Sequence, residues 1–455
     1  MTALRIGDEP LEPAALAAAA RDATLQVSVS DAARARIAAA AVEADAIAAT
    51  RPVYGRTTGV GAQRMVTLEE GDEEHSLRLL RSHAGGLGEP LPEEVVRGTI
   101  VARLTQMAKG GGGHRAELTD ALVALVNSGS LPLVRDLGGI GTGDLTVLAQ
   151  IGLALQARSQ ARFLDGGDGL ALMSSNAATA TVATLAWSEL RELLDAGIGV
   201  AATSFDALRG NREAYAEEVA AGKPLPGAVA VSAKLRILTA GAEEPARLQD
   251  PFALRCVPQV GGALHEALGH LHDVLEVELN ASAENPLLAN GRFHHHGGFL
   301  AASFAVALDA LRLSLVPFAQ MSTSRLAHLM APPLSGLPAF LATGAPGSSG
   351  LMIAEYIAAD ALARLRTEAA PTTLGTATIS RGIEEHAGFA WQGALQARRA
   401  VTHLRTILAL ELLAAERGNA IRRGHLAGLE DREIGPDAER AAARLPALAR
   451  SVAGL

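Results

Sequence analysis

Six residues, Gly138-Gly139-Ile140-Gly141-Thr142-Gly143, constrain this chain more than any other stretch. Four of the six are glycines, and glycine loses more backbone entropy on ordering than any other residue. Asp144 follows, and then residues 145–157 carry no charge at all. A run like that reads as a helix buried on nearly every face. Asp144 stands where an N-cap belongs, its carboxylate available to the free N–H groups of the first turn. A strained turn of residues with little or no side chain, anchored on a core helix, adds little stability and marks a place for chemistry. The simpler reading is a plain sharp turn. A phosphate cradle is another, since helix starts attract anions. The turn has neither the Gly-x-x-x-x-Gly-Lys-Ser/Thr pattern nor the Gly-x-Gly-x-x-Gly spacing, so no nucleotide is expected there.

The chain has 455 residues, enough for two or three average domains or one large one. Hydrophobic residues make up 49% but aromatics only 3%. The core must therefore come from Ala, Leu and Val, which suits closely packed helices. A net charge of −9 and the lack of a basic stripe argue against a nucleic-acid partner. One cysteine, Cys256, excludes an internal disulfide framework and suits a reducing compartment. Residues 1–13 lack a basic start followed by an apolar run, so no signal peptide is read there. Residues 169–188 are uncharged but contain Ser174, Ser175, Asn176 and several threonines. That is too polar for a membrane span and reads as a buried helix with a polar loop at its start. The expectation is a soluble, cytoplasmic protein.

Ser30-Asp31 opens an alanine-rich helix running to about Thr50. A polar loop follows, from Tyr54-Gly55 to Gly61, where a tyrosine among glycines is more often cleft-lining than core. His83 sits at a helix end, where a histidine suits the dipole. Residues 95–109 read as a helix and 110–113 as a break. From about residue 189 long helices dominate. Phe304, Leu308, Leu311 and Leu315 share one face, with Asp309 and Arg312 off it. Val401, Leu404, Leu408, Leu412 and Ala415 form a second stripe, with Arg417-Gly418-Asn419 as its stop. Few strands are expected. The polar clusters are Gln249 to Gln259 with Arg255 inside it, Asn280, Glu284-Asn285-Pro286-Leu287, His294-His295-His296, and Ser380 to His386. Adjacent histidines point apart and no His-x-x-x-His spacing supports them, so no metal is expected. Glu384 to His386 reads as the acidic first turn of a helix.

Taken in order, these blocks resemble the aromatic amino-acid and histidine ammonia-lyases. Tyr54-Gly55 to Gly61 is similar to that family's tyrosine loop, and Ser82-His83-Ala84 to its next block. Gly141-Thr142-Gly143-Asp144-Leu145 occupies the place of its Ala-Ser-Gly-Asp-Leu. Asp168 to Leu172, Gln249 to Gln259, Asn285-Pro286-Leu287, Leu334 to Pro338 and Glu384-Glu385-His386 follow in register. The resemblance implies a mostly α fold with a long central helical bundle of the ammonia-lyase/fumarase-like type and a smaller N-terminal region. Residues 1–200 would carry the tyrosine loop and the glycine turn, and 201–455 the long-helix bundle, in one continuous folded unit. It also implies a homotetramer whose active sites draw on several subunits.

The implied chemistry is elimination of ammonia from L-histidine or a related amino acid to give an α,β-unsaturated acid. The family's Ala-Ser-Gly cyclises and loses water to form 4-methylideneimidazol-5-one, the electrophile MIO; Gly141, Thr142 and Gly143 would be its counterparts. Tyr54 would be the base that removes the β-proton, and its setting would have to lower a pKa near ~10. Arg255 would pair with the substrate carboxylate. Asn285 would help hold the carboxylate or the electrophile. His83 and Glu384 would meet the substrate side chain, as in the histidine-specific branch, where an imidazole offers a donor and an acceptor.

The departures fall on the chemistry. Thr142 replaces the family's serine, so its dehydration product would carry an extra methyl group. Gly141 replaces alanine. Ser174 stands at the position of an asparagine, with Asn176 two residues on. Phe252 replaces a tyrosine, and Ile383 a glutamine. The alternatives are an enzyme of the same fold that eliminates or isomerises by acid–base catalysis without the electrophile, or a catalytically inactive homologue.

Overall fold

The computed structural model describes residues 3–69, 71–158, 164 and 166–455. Helix accounts for 62% of it and strand for 4%, as a core of alanine and leucine with few aromatics favours. Ala3–Ile6 pairs in parallel with Gln26–Val29, and Leu287–Ala289 forms a short hairpin with Arg292–His294. Ser30 starts the helix Asp31–Ala48 as expected, its Oγ accepting the Ala33 N–H at 3.2 Å.

The described chain packs as two compact units, each built from three separated segments. One takes residues 1–185, 272–308 and 371–395; the other takes 186–271, 309–370 and 396–455. Neither coincides with 1–200 or 201–455. Four of the five changeovers fall inside Ala177–Leu208, Val257–Asn280, Ala302–Met330 and Ala390–Arg422, and the fifth lies between residues 370 and 371.

In the first unit the helix Glu93–Met107 is buried from Val95 onward, including Arg97 and Arg103. Arg103 is satisfied there by Glu284, 2.9 Å away and equally buried. A buried charge persists only when paired in this way. The uncharged run forms the helix Leu145–Arg158, and residues 169–188 divide into the end of Asp168–Met173, a break, and the start of Ala177–Leu208. Every residue from Gly169 to Trp187 is buried, Ser174, Ser175 and Asn176 among them.

The second unit holds a similar pair. Glu411 accepts from Arg325 at 2.6 and 2.8 Å, from Ser204 at 2.6 Å and from Ser322 at 2.5 Å, all of them buried.

Two expectations are corrected here. Asp309 and Arg312 are not off the buried face but inside, 5% and 0% exposed. Each neutralises the other, and Arg312 also donates to the carbonyls of Glu368 and Ala370 at 2.8 and 2.9 Å. Arg417-Gly418-Asn419 does not stop its helix, which runs on to Arg422. Gly418 is instead a point of close approach, where a Cβ would lie 3.2 Å from Leu337 and 3.4 Å from Ala207. Among the described residues one helix, Ala302–Met330, is long and apolar enough to cross a membrane by length and composition, and 56% of its most apolar window is buried.

Candidate active site

The glycine turn is as strained as its composition implies. Gly138, Gly141 and Gly143 have φ of 123°, 83° and 100°, values that L side chains adopt at a steric penalty. The segment entering Ala390–Arg422 grips it. Phe389 donates its N–H to Ile140 O at 2.9 Å, Gln392 Nε2 donates to Gly139 O at 2.6 Å, and the Trp391 ring lies against Gly139. A Cβ on Gly141 would lie 2.8 and 2.9 Å from the backbone nitrogens of Ala390 and Phe389. The alanine typical of the resembling family has no room in this arrangement, which is a physical reason for glycine there. Gly143 is open by contrast, with its nearest neighbour 3.8 Å from a Cβ.

Asp144 caps a helix, but not the one it precedes. Its carboxylate accepts the Thr179 N–H at 2.8 Å and the Thr179 hydroxyl at 2.7 Å, at the start of Ala177–Leu208. That helix has no acidic residue in its own first turn, so its buried N–H groups take an acceptor from elsewhere in the chain. Burial pushes Asp144 up to about 6, with the bonds from Thr179 and Ala178 opposing. The Asp144 N–H donates to Ser175 O at 2.7 Å, which ties the turn to the 174–176 break.

Tyr54, Ser174 and Asn285 line one small cavity, together with Arg56, Gly112 and Glu284. The Tyr54 hydroxyl accepts the Gly61 N–H at 2.7 Å. The sequence calls for a setting that lowers its pKa; the described surroundings raise it instead. Burial dominates, the Gly61 bond opposes, and the Glu384 charge adds to the rise. Glu384 closes on the same loop: a Cβ on Gly61 would lie 3.3 Å from its Oε1 and 2.8 Å from Ser380 Oγ. The segment from Ser380 does not start a helix. Ser380 and Arg381 have φ of 52° and 58°, and Ile379 pairs with Glu384 in a tight turn. The helix begins only at Ala390.

Ser174 Oγ accepts the Asn285 N–H at 2.9 Å, and Asn285 Oδ1 accepts the His296 N–H at 3.0 Å. Asn176 does not take the place of the missing asparagine. It is buried, donates to Phe299 O at 3.0 Å and hydrogen-bonds Glu278. His83 is the last residue of His75–His83, with Nδ1 2.8 Å from Leu79 O. A carbonyl only accepts, so Nδ1 carries the hydrogen and a neutral ring keeps an acceptor at Nε2. Arg255 and Phe252 belong to the second unit. The Arg255 guanidinium lies 4.5 Å over the centre of the Phe252 ring, a cation–π contact, and Phe252 is 63% exposed.

Sequence reasoning missed Glu278, a half-buried carboxyl pushed up to about 7 by its removal from solvent, with Asn176 opposing and Asp144 adding. Its signal was an acid flanked directly by Val277 and Leu279. It also missed the buried Arg103–Glu284 pair beside the cavity.

The family model "Aromatic amino acid lyase" matches residues 11–445. A histidine ammonia-lyase of Deinococcus radiodurans is 34% identical over 425 residues, covering 86% of this chain and 81% of that protein. A histidine ammonia-lyase of Geobacillus thermodenitrificans is 34% identical over 405 residues, covering 83% and 80%. Among solved structures, histidine ammonia-lyase from Trypanosoma cruzi superposes with a TM-score of 0.89 at 26% identity, over 99% of this chain and 95% of that one. The phenylalanine aminomutase of Pantoea agglomerans shares the fold, with a TM-score of 0.90 at 23% identity over 98% and 99%. The chain belongs to the aromatic amino acid lyase family. It is a carbon–nitrogen lyase with an ammonia-lyase function.

Proposed function

We propose that this lyase eliminates ammonia from L-histidine, or an amino acid with a similarly polar side chain, to give the α,β-unsaturated acid. The observation that carries this reading is the convergence on Gly61. Its N–H holds the Tyr54 hydroxyl and the Glu384 carboxylate lies beside it, while Tyr54 shares its cavity with Ser174 and Asn285. Tyr54 is the base for the β-proton. A raised pKa makes its phenolate the stronger base once formed, and proton transfer needs the acceptor within hydrogen-bond reach. Glu384 and the Nε2 acceptor of His83 recognise an imidazole N–H. Arg255 takes the carboxylate through parallel hydrogen bonds, for which the Phe252 ring holds its guanidinium.

The turn fits closure into an MIO-like ring by attack of the Gly143 nitrogen on the Gly141 carbonyl. Neither residue carries a side chain to crowd the approach, and Gly141 O accepts the Ala301 N–H at 3.3 Å, which polarises that carbonyl. When formed, such a group supplies an electrophile for the substrate amine. Thr142 would leave a methyl on the attacked carbon, so the second reading stands beside the first: acid–base elimination or isomerisation in the same site without the electrophile. The chain works as a homotetramer with sites shared between subunits, in a reducing compartment such as the cytoplasm. Exposed Val306 and Leu313 on Ala302–Met330 support such an assembly.

Intact mass separates the two readings, because ring closure and dehydration remove two waters. Growth of ultraviolet absorbance on incubation with L-histidine reads the unsaturated product. An unmodified mass with no amino acid consumed overturns the first reading. Tyr54→Phe abolishes turnover while leaving thermal stability unchanged, if Tyr54 is the base.

A further inference from the structure

The histidine run is the motif that neither the hairpin nor the proposed reaction explains. Each of its rings has a different partner. His294 Nε2 lies 3.3 Å from Ala289 O within the hairpin turn. His295 Nε2 accepts the backbone N–H of Tyr54 at 3.4 Å, and its ring stands edge-on to the phenol, 6.4 Å between centres at 84°. His296 donates its own N–H to Asn285 Oδ1 at 3.0 Å and its Nε2–H to Glu284 O at 2.7 Å. Gly298 N–H fills the remaining Nδ1 of His296 at 2.8 Å. The same strand of chain continues to Phe299, which accepts from Asn176, and to Ala301, which donates to Gly141 O. Residues 295–301 thus touch the tyrosine loop, the Asn285 turn, the 174–176 break and the glycine turn in succession.

We propose that His295 is a positioning residue: it fixes the Tyr54 backbone to the stretch that also holds Asn285, so that phenol and amide face one cavity in register. The catalytic consequence rests on the reading of Tyr54 as the base. The device works only while the ring is neutral, because protonation puts a hydrogen on Nε2 opposite the Tyr54 N–H. Partial desolvation of the ring by its neighbours, then Arg51 and His296, hold the His295 pKa below its ordinary 6.5, so the acceptor is present at neutral pH and is lost as pH falls through that lowered value. Arg51 faces it from the segment before Tyr54, and His296 from its own run. His295 itself is exposed, so its replacement leaves the core intact.

The test uses the full chain with His295→Leu and His295→Gln. Amide hydrogen exchange across residues 53–61 reads the clamp without any substrate. His295→Leu speeds exchange at Tyr54 about tenfold, the loss expected of one hydrogen bond, and lowers kcat by ~10–100-fold with KM little changed, as for a displaced catalytic group. His295→Gln, whose side-chain carbonyl accepts at any pH, restores protection and most of kcat, and it removes the acid limb of the kcat profile. Wild-type exchange in His295→Leu overturns the proposal. So does a His295→Gln variant as impaired as His295→Leu, or one that keeps the acid limb. If the wild-type chain consumes no amino acid, the role of Tyr54 as base fails, while hydrogen exchange still decides the clamp.

Discussion

At Gly141 the requirement for glycine is steric twice over: φ is positive, and backbone nitrogens of Phe389 and Ala390 occupy the space of a Cβ. Gly143 meets only the first requirement. Urea unfolding distinguishes the two. Gly141→Ala loses roughly 2–4 kcal/mol, from left-handed backbone plus overpacking, and Gly143→Ala about 1–2 kcal/mol, from the backbone alone. Equal losses would mean that the 388–392 grip on the turn is loose. Four glycines in six residues announced a strained turn in the sequence. What no spacing revealed is that a helix entrance more than two hundred residues later dictates which glycine tolerates no methyl.

Among elements, the most consequential is the start of Ala177–Leu208. Its first turn has no acid of its own and takes Asp144, the residue just ahead of Leu145–Arg158. Asp144→Ala strands the Thr179 N–H and hydroxyl in a buried place and costs about 1–3 kcal/mol in chemical denaturation. A second carboxyl that interacts with it, the half-buried Glu278, gives a pH signature. Its folded pKa of about 7 lies above the ordinary 4.5, so the folded state binds the extra proton between those values. Its contribution to stability is therefore fully present below pH ~4.5 and is lost as pH rises through ~7. Glu278→Gln keeps a neutral side chain throughout. Thermal melts from pH 4 to 8 should show the variant gaining on the wild type as pH rises across that window and levelling off above it. The sequence pattern located both helices well, because burial of uncharged runs is local information. It misassigned the Asp144 cap because an N-cap position says where a carboxylate starts and not where its side chain turns.

For the whole molecule, the predicted sharing of sites between subunits has a direct readout. Tyr54 and Arg255 belong to different compact units of the described chain. Mixing the inactive Tyr54→Phe and Arg255→Ala proteins after mild dissociation restores part of the activity if one site takes Tyr54 and Arg255 from different subunits. Activity that stays absent while light scattering shows mixed oligomers rules that arrangement out. The division of the chain was the part least legible beforehand. Four of its five changeovers lie within continuous helices, and a helix carries no compositional mark where its packing partners change.

From residue order alone came the helical class, the strained turn, and three residues that line the cavity, Tyr54, Ser174 and Asn285. These follow from periodicity, glycine content and ordered motifs, all of which act over a few residues. Tertiary structure alone decided which groups face one another. It turned Asn176 toward Glu278 and away from the cavity, buried Asp309 with Arg312, and set His295 against Tyr54, some 240 positions apart. Such contacts depend on where distant segments close together, and a polar side chain in a low-dielectric interior takes whichever partner the packing brings within reach.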